Sequence, residues 1–229
     1  MSSSNRVGKR TEKRNRQTRA KQRQRLFTII AVSVAAVVVA AMLIWPYVRP
    51  AYEGRERPQA SENSMGDPNA PVTVEEFSDF QCPFCRQFAT EKEPDFVAKY
   101  VETGQVYFTY TPFSFLGPES IRAAEAAYCA MDQGKFWDYH DIIFDNQGGE
   151  NTGALSDDRL KEFATRLKLD TAAFNQCFDG NKYQQKVNDN IEYGRGKGVN
   201  ATPYFLINGE QLVDQNGLVN AVEAALGNN

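Results

Sequence analysis

Two cysteines three positions apart, Cys82-Pro83-Phe84-Cys85, constrain this chain more than any other feature. They follow an alternating, strand-like run, Val72-Thr73-Val74-Glu75-Glu76-Phe77, and precede a segment with helical patterning. Thiols at this spacing close into a disulfide within one helical turn, and a strand–CxxC–helix context marks a redox centre. A second signal lies 120 residues further on, where Thr202-Pro203 opens another strand. CxxC is also half of many zinc sites. Here Cys129 and Cys177 stand 48 apart and His140 is the one histidine, so the spacing argues against structural zinc.

Charge divides the chain. Residues 1–25 hold ten Lys/Arg against one acid, a local +9, and the net −3 leaves −12 for the remaining 204 residues. An acidic body argues against nucleic acid as partner. Leu26 to Trp45 is twenty residues without a charge, its polar members being Thr28 and Ser33. A helix of that length spans about 30 Å, the thickness of a bilayer's hydrocarbon core. With the Lys/Arg excess wholly on its N-terminal side, the run predicts a signal-anchor with residues 1–25 cytoplasmic and the rest extracytoplasmic. A cleaved signal peptide is the competing reading, but its apolar region is normally ~7–15 residues and ends at a small-x-small site. Outside the cytoplasm, cysteines more often pair.

Residues 46–65 are polar and proline-rich and read as a tether; the Gly66-Asp67-Pro68 turn is predicted to open the folded body, 66–229. A strand is expected at about 72–78. Pro83 suits a first helical position, and the helix it opens should break or kink near Glu93-Pro94. Gln105–Thr111 alternates large residues on both faces, as an internal strand does. Helical patterning occupies about 117–195, with a hydrophobic staple around Ser156 and another around Asp170. The chain then predicts a hairpin turning at Asn208-Gly209 and a final helix, Leu218–Leu226.

This order, with Glu76-Phe77-Ser78-Asp79-Phe80-Gln81-Cys82-Pro83-Phe84-Cys85, Gly134-Lys135-Phe136-Trp137 and Gly198-Val199-Asn200-Ala201-Thr202-Pro203-Tyr204-Phe205, resembles the DsbA-like thiol-disulfide oxidoreductases of the thioredoxin superfamily. The resemblance covers about 66–227. It implies an α/β thioredoxin fold with a helical insertion, here behind a single transmembrane helix. It implies that Cys82 attacks and leaves as thiolate, that Cys85 resolves, and that Pro203 is cis and faces the pair. Thr202 and Phe84 would then meet substrate. Glu76, in a core strand, would carry the proton of Cys85.

A helix N-terminus stabilises an anion at Cys82. Each unit by which its pKa falls favours the reduced enzyme by ~1.4 kcal/mol, about 30 mV. Family members with His before the second Cys gain a donor there; Phe84 offers none, so the oxidising character should be milder. Cys129 and Cys177 read as a structural disulfide, with free buried thiols or a second relay as alternatives; Cys177 shares an apolar face with Ala173 and Phe174. His140 reads as a packed helical residue. Phe113, Phe115, Phe84 and Tyr204 are candidates for an apolar rim or for core.

The expected activity is oxidation of reduced exported proteins, with no cofactor in the chain. The resemblance implies reoxidation by a quinone-linked membrane oxidase of the DsbB or vitamin-K-epoxide-reductase type. A reductase or isomerase, which usually needs a dimerisation module, and a non-catalytic chaperone module are the alternatives.

Overall fold

The computed structural model describes residues 32–40, 52 and 54–227. Residues 32–40 are helical with exposed side chains and belong to a unit separate from the body that follows. Among the described residues no helix is long and apolar enough to cross a membrane. The basic tail 1–25 and more than half of Leu26–Trp45 lie outside them.

The body is a five-stranded sheet, β1 (Ser64–Met65), β2 (Val72–Ser78), β3 (Val106–Pro112), β4 (Tyr204–Ile207) and β5 (Gln211–Asp214), in the order β1-β3-β2-β4-β5. β2 runs parallel to β3 and antiparallel to β4. Helix α1 (residues 83–101) connects β2 to β3, so the parallel pair has the crossover that such a pairing requires. Helices α2 (Pro118–Met131), α3 (Phe136–Asp145), α4 (Asp157–Arg166), α5 (Thr171–Asp179) and α6 (Gln184–Gly196) form the insertion between β3 and β4, and α7 (Leu218–Ala225) follows β5.

Alternation along β2 puts Val72, Val74, Glu76 and Ser78 on one face, in register with Val106, Phe108 and Tyr110 of β3. That face packs on α1, where the Phe88 ring lies 4.7 Å from Phe205 and the Phe96 ring 5.9 Å from Phe108. On the opposite face Phe77, Phe113, Val199 and Leu206 form a smaller buried cluster. Helix α6 touches it through Gly194, where a β-carbon would sit 2.7 Å from the Phe113 ring. The approach of helix to sheet therefore requires glycine there.

Helix α1 changes its pattern at Glu93-Pro94, where an irregularity was expected. It passes through two wide i→i+5 turns, Phe88–Lys92 and Val97–Val101, around the segment Glu93–Phe96. Pro94 thus stands in the first turn of a new α segment, where a missing donor is tolerated. One sequence expectation is corrected, that of the tether. Of the residues read as linker, 54–65 pack on the body as an arm: Ser64 and Met65 pair with Thr109 and Phe108, and Met65 is fully buried.

Candidate active site

Cys82 is the N-cap of α1, in extended conformation, with Pro83 directly inside the helix. The loop ahead of it is held by Asp79, a buried residue that the sequence did not single out. Asp79 Oδ1 accepts from the Gln81 amide at 2.8 Å and from Ser120 Oγ at 2.6 Å. Its Oδ2 accepts from the amides of Phe115 and Leu116 at 2.8 and 3.0 Å. One carboxylate therefore fastens the redox loop to the start of the insertion. Gln147 adds donations to the carbonyls of Phe80 and Cys82 at 2.7 and 3.1 Å. The sequence signal available for Asp79 was the ordinary one of an Asx turn two residues long.

The two sulfurs occupy different environments. Cys82 is 5% exposed and Cys85 is fully buried, whereas Phe84 between them is 59% exposed. The Thr202–Pro203 peptide bond is cis. The Cys82 thiol donates to the Thr202 carbonyl oxygen at 3.4 Å, which brings both sequence signals to one point. A hydrogen bond from Cys85 lowers the Cys82 thiol to about 6 against the opposing effect of burial; the Thr202 side chain and the amides of Phe84 and Cys85 add to it. Cys85 is pushed well up, first by burial and then by its neighbour Cys82. A pair so divided holds one proton and one negative charge near neutral pH, with the charge on Cys82.

Glu76 lies on the face of β2 that looks toward α1 and is 1% exposed. Burial, then the like charge of Glu93, push its carboxyl well above the usual range. Ser78 faces Glu76, Cys85 and Tyr110 alike, and Glu76 Oε1, Ser78 Oγ and Tyr110 Oη make no hydrogen bond. A protonated carboxyl thus lies electrostatically within reach of the buried thiol.

The insertion is cross-linked by a Cys129–Cys177 disulfide between α2 and α5, with Cα atoms 5.9 Å apart. His140 is fully buried beside Tyr110, Phe144 and Trp137, with Nδ1 3.0 Å from Asp141 Oδ1. Of the four aromatics considered for a rim, Phe113 is buried, Tyr204 half-buried, and Phe115 and Phe84 exposed. Among the described residues no group of three His, Cys, Asp or Glu side chains is arranged to hold a metal ion.

These features match a known lineage. A thioredoxin family model matches residues 59–226, and the chain belongs to that family. It is 26% identical over 187 residues to the probable disulfide bond formation protein D of Bacillus anthracis, covering 79% of this chain and 86% of that protein. It is 29% identical over 151 residues to disulfide bond formation protein D of Bacillus subtilis, covering 63% and 66%. The crystal structure of oxidised BdbD from Bacillus subtilis superposes with a TM-score of 0.66 at 23% identity, over 78% of this chain and 100% of that one. Within the thioredoxin family the chain is a thiol-disulfide oxidoreductase of the disulfide-forming kind.

Proposed function

We propose that this protein passes its Cys82–Cys85 disulfide to reduced exported proteins on the outer side of the cell membrane. The observation that carries the reading is the contrast between Cys82, 5% exposed and lowered to about 6, and a fully buried Cys85 pushed up. A sulfur that ionises easily is a good leaving group, and a stable thiolate favours the reduced enzyme over its disulfide.

A substrate thiolate attacks Cys82 Sγ, and the bond to Cys85 breaks with its electron pair on the Cys85 sulfur. That sulfur takes a proton from Glu76, with Ser78 between them. A second substrate thiol loses its proton to solvent, solvent returns one to Glu76, and the new thiolate attacks the substrate sulfur of the mixed disulfide. Cys82 departs as thiolate, so two electrons have moved and the substrate holds a disulfide. The cis-Pro203 segment and the Thr202 carbonyl border the attacked sulfur, and exposed Phe84 offers an apolar contact for unfolded substrate. The Cys129–Cys177 disulfide takes no part and braces the insertion.

The run Leu26–Trp45 anchors the chain in a single pass, with residues 1–25 cytoplasmic and everything after Trp45 outside. A quinone-linked membrane oxidase takes the two electrons and restores the Cys82–Cys85 disulfide. No cofactor within the chain is needed.

The test is oxidative refolding of reduced ribonuclease by stoichiometric oxidised protein. Wild type should form disulfides, and Cys82→Ser should not. A thioredoxin-like, strongly reducing potential would overturn the direction of transfer. Retention in membranes after alkaline carbonate washing, with the body accessible to protease from outside, checks the anchor.

A further inference from the structure

Glu76 has a second acid beside it. Glu93, on α1, is fully buried, and its charge bears on Glu76. Oε1 of each carboxyl has no hydrogen-bond partner. They differ in what reaches the other oxygen. Glu93 Oε2 lies 3.2 Å from Arg57 Nη2, the same nitrogen that lies 2.8 Å from Asp141 Oδ1. Arg57 belongs to the N-terminal arm and its side chain is 3% exposed. Its guanidinium stands 5.1 Å over the Trp137 ring, while Trp137 Nε1 donates to the Ser64 carbonyl further along the arm. Two carboxyls in one apolar site do not both ionise readily. Burial raises the Glu93 carboxyl as well, but the Arg57 guanidinium 3.2 Å from it is the largest effect opposing that rise, so of the two acids Glu93 is the one placed to take the charge and Glu76 the one to keep the proton.

We propose that Glu93 and Arg57 are positioning residues for the proton that serves Cys85. Arg57 holds the charge on Glu93, and charged Glu93 holds the proton on Glu76. The proposal rests on the reading of Glu76 as proton donor. The groups that face Glu76 are Ser78 on its own strand, Tyr110 on β3, Cys82, Cys85 and Glu93 from α1, and Arg57 from the arm. Those that face Glu93 are Arg55 and Arg57 from the arm and His140 and Asp141 from α3. Arg57 is shared between two carboxylates and Arg55 is bound to Asp141 at 3.0 Å and Asp145 at 3.0 Å. Arg57 also lowers Glu76, but burial and the charge of Glu93 outweigh it. The arm, through Arg57, thus sets how firmly the redox centre holds its proton.

The experiment follows the carboxyl carbon resonances of Glu76 and Glu93 in full-length reduced protein as pH is varied. Glu93→Gln removes the neighbouring charge without changing shape, and the Glu76 midpoint should fall by roughly one pH unit. Arg57→Gln should raise the Glu93 midpoint by a similar amount, and Arg57→Lys should return it. In a Glu76→Gln background, adding Glu93→Gln should leave the pH profile of thiol exchange where Glu76→Gln alone put it. A Glu76 midpoint that stays or rises in Glu93→Gln overturns the proposal, as does a Glu93 midpoint unmoved in folded Arg57→Gln. If Arg57→Gln does not fold, the Glu93→Gln result decides alone. An exchange profile unaffected by Glu76→Gln would instead sink the donor role of Glu76, and the resonance shifts would still judge the charge arrangement.

Discussion

The Cys82 thiol donates a hydrogen bond to the Thr202 carbonyl oxygen, 3.4 Å away and 120 positions along the chain. The contact joins the start of α1 to the peptide unit before Pro203. It forms although the two segments lie at opposite ends of a helical insertion.

The first expectation concerns that sulfur. Thiolate absorbance at 240 nm in the reduced protein should titrate near pH 6, the value to which Cys82 is lowered. The largest cause is the hydrogen bond from Cys85, so Cys85→Ala should move the midpoint up by about one unit or more, toward the ~8.5 of free cysteine. Thr202→Val should move it in the same direction by less. The depressed group favours the folded reduced protein fully above ~8.5, and that advantage fades as pH falls toward 6.

Glu76 gives a test with the opposite sign. Its carboxyl is raised well above the usual range, first by burial, so the folded chain binds a proton that the unfolded chain releases above ~4.3. Folding stability should therefore decline with rising pH from that point through the folded-state value. Glu76→Gln should lack this slope, which amounts to up to about 1.4 kcal/mol per pH unit. Urea unfolding of both proteins between pH 4 and 8 measures the difference. Equal slopes would refute it.

The arm should matter to folding. A chain starting at residue 52 keeps Arg55 and Arg57; one starting at 66 leaves Glu93 and Asp141 buried without them. Removing one partner of a buried ion pair costs about 3–5 kcal/mol. The shorter chain should unfold at clearly lower urea. Against the effect of burial, His140, Arg57 and the Arg55 amide hold Asp141 at about 2, so its stabilising share is complete above ~3.9 and disappears as pH falls to 2.

The insertion offers a control. Opening the Cys129–Cys177 link releases a loop spanning 48 positions, which chain entropy puts at up to about 4 kcal/mol. The paired Cys129→Ala and Cys177→Ala variant should lose stability yet keep the thiolate midpoint of Cys82. A shift of that midpoint would mean that the insertion tunes the redox centre.

Local chemistry made much of the fold legible. Asp170 caps α5 by accepting from the amides of Ala172 and Ala173, and Asn208-Gly209 turns the β4–β5 hairpin, each announced by adjacent residues. The arm was not legible. Its partners stand 36 and 84 positions away, and a two-residue strand has no periodicity to detect. Pro94 marked the change of helical pattern at Glu93, because a missing amide donor is a local matter. In the site, the cysteine pair and Thr202-Pro203 could be read directly. Asp79, Glu93 and Arg57 could not, because their importance comes from burial and from partners that only folding supplies.

The sheet ends in very short margins, two residues of β1 on one side and four of β5 on the other. The longer leaves roughly 13 Å of outer backbone, closed by the turn at Asp214. An enzyme proposed to handle unfolded chains works among polypeptides ready to add a strand to any open ladder. With so little template on offer, a client would be caught through its sulfur and let go when the exchange completes, instead of being recruited into the sheet.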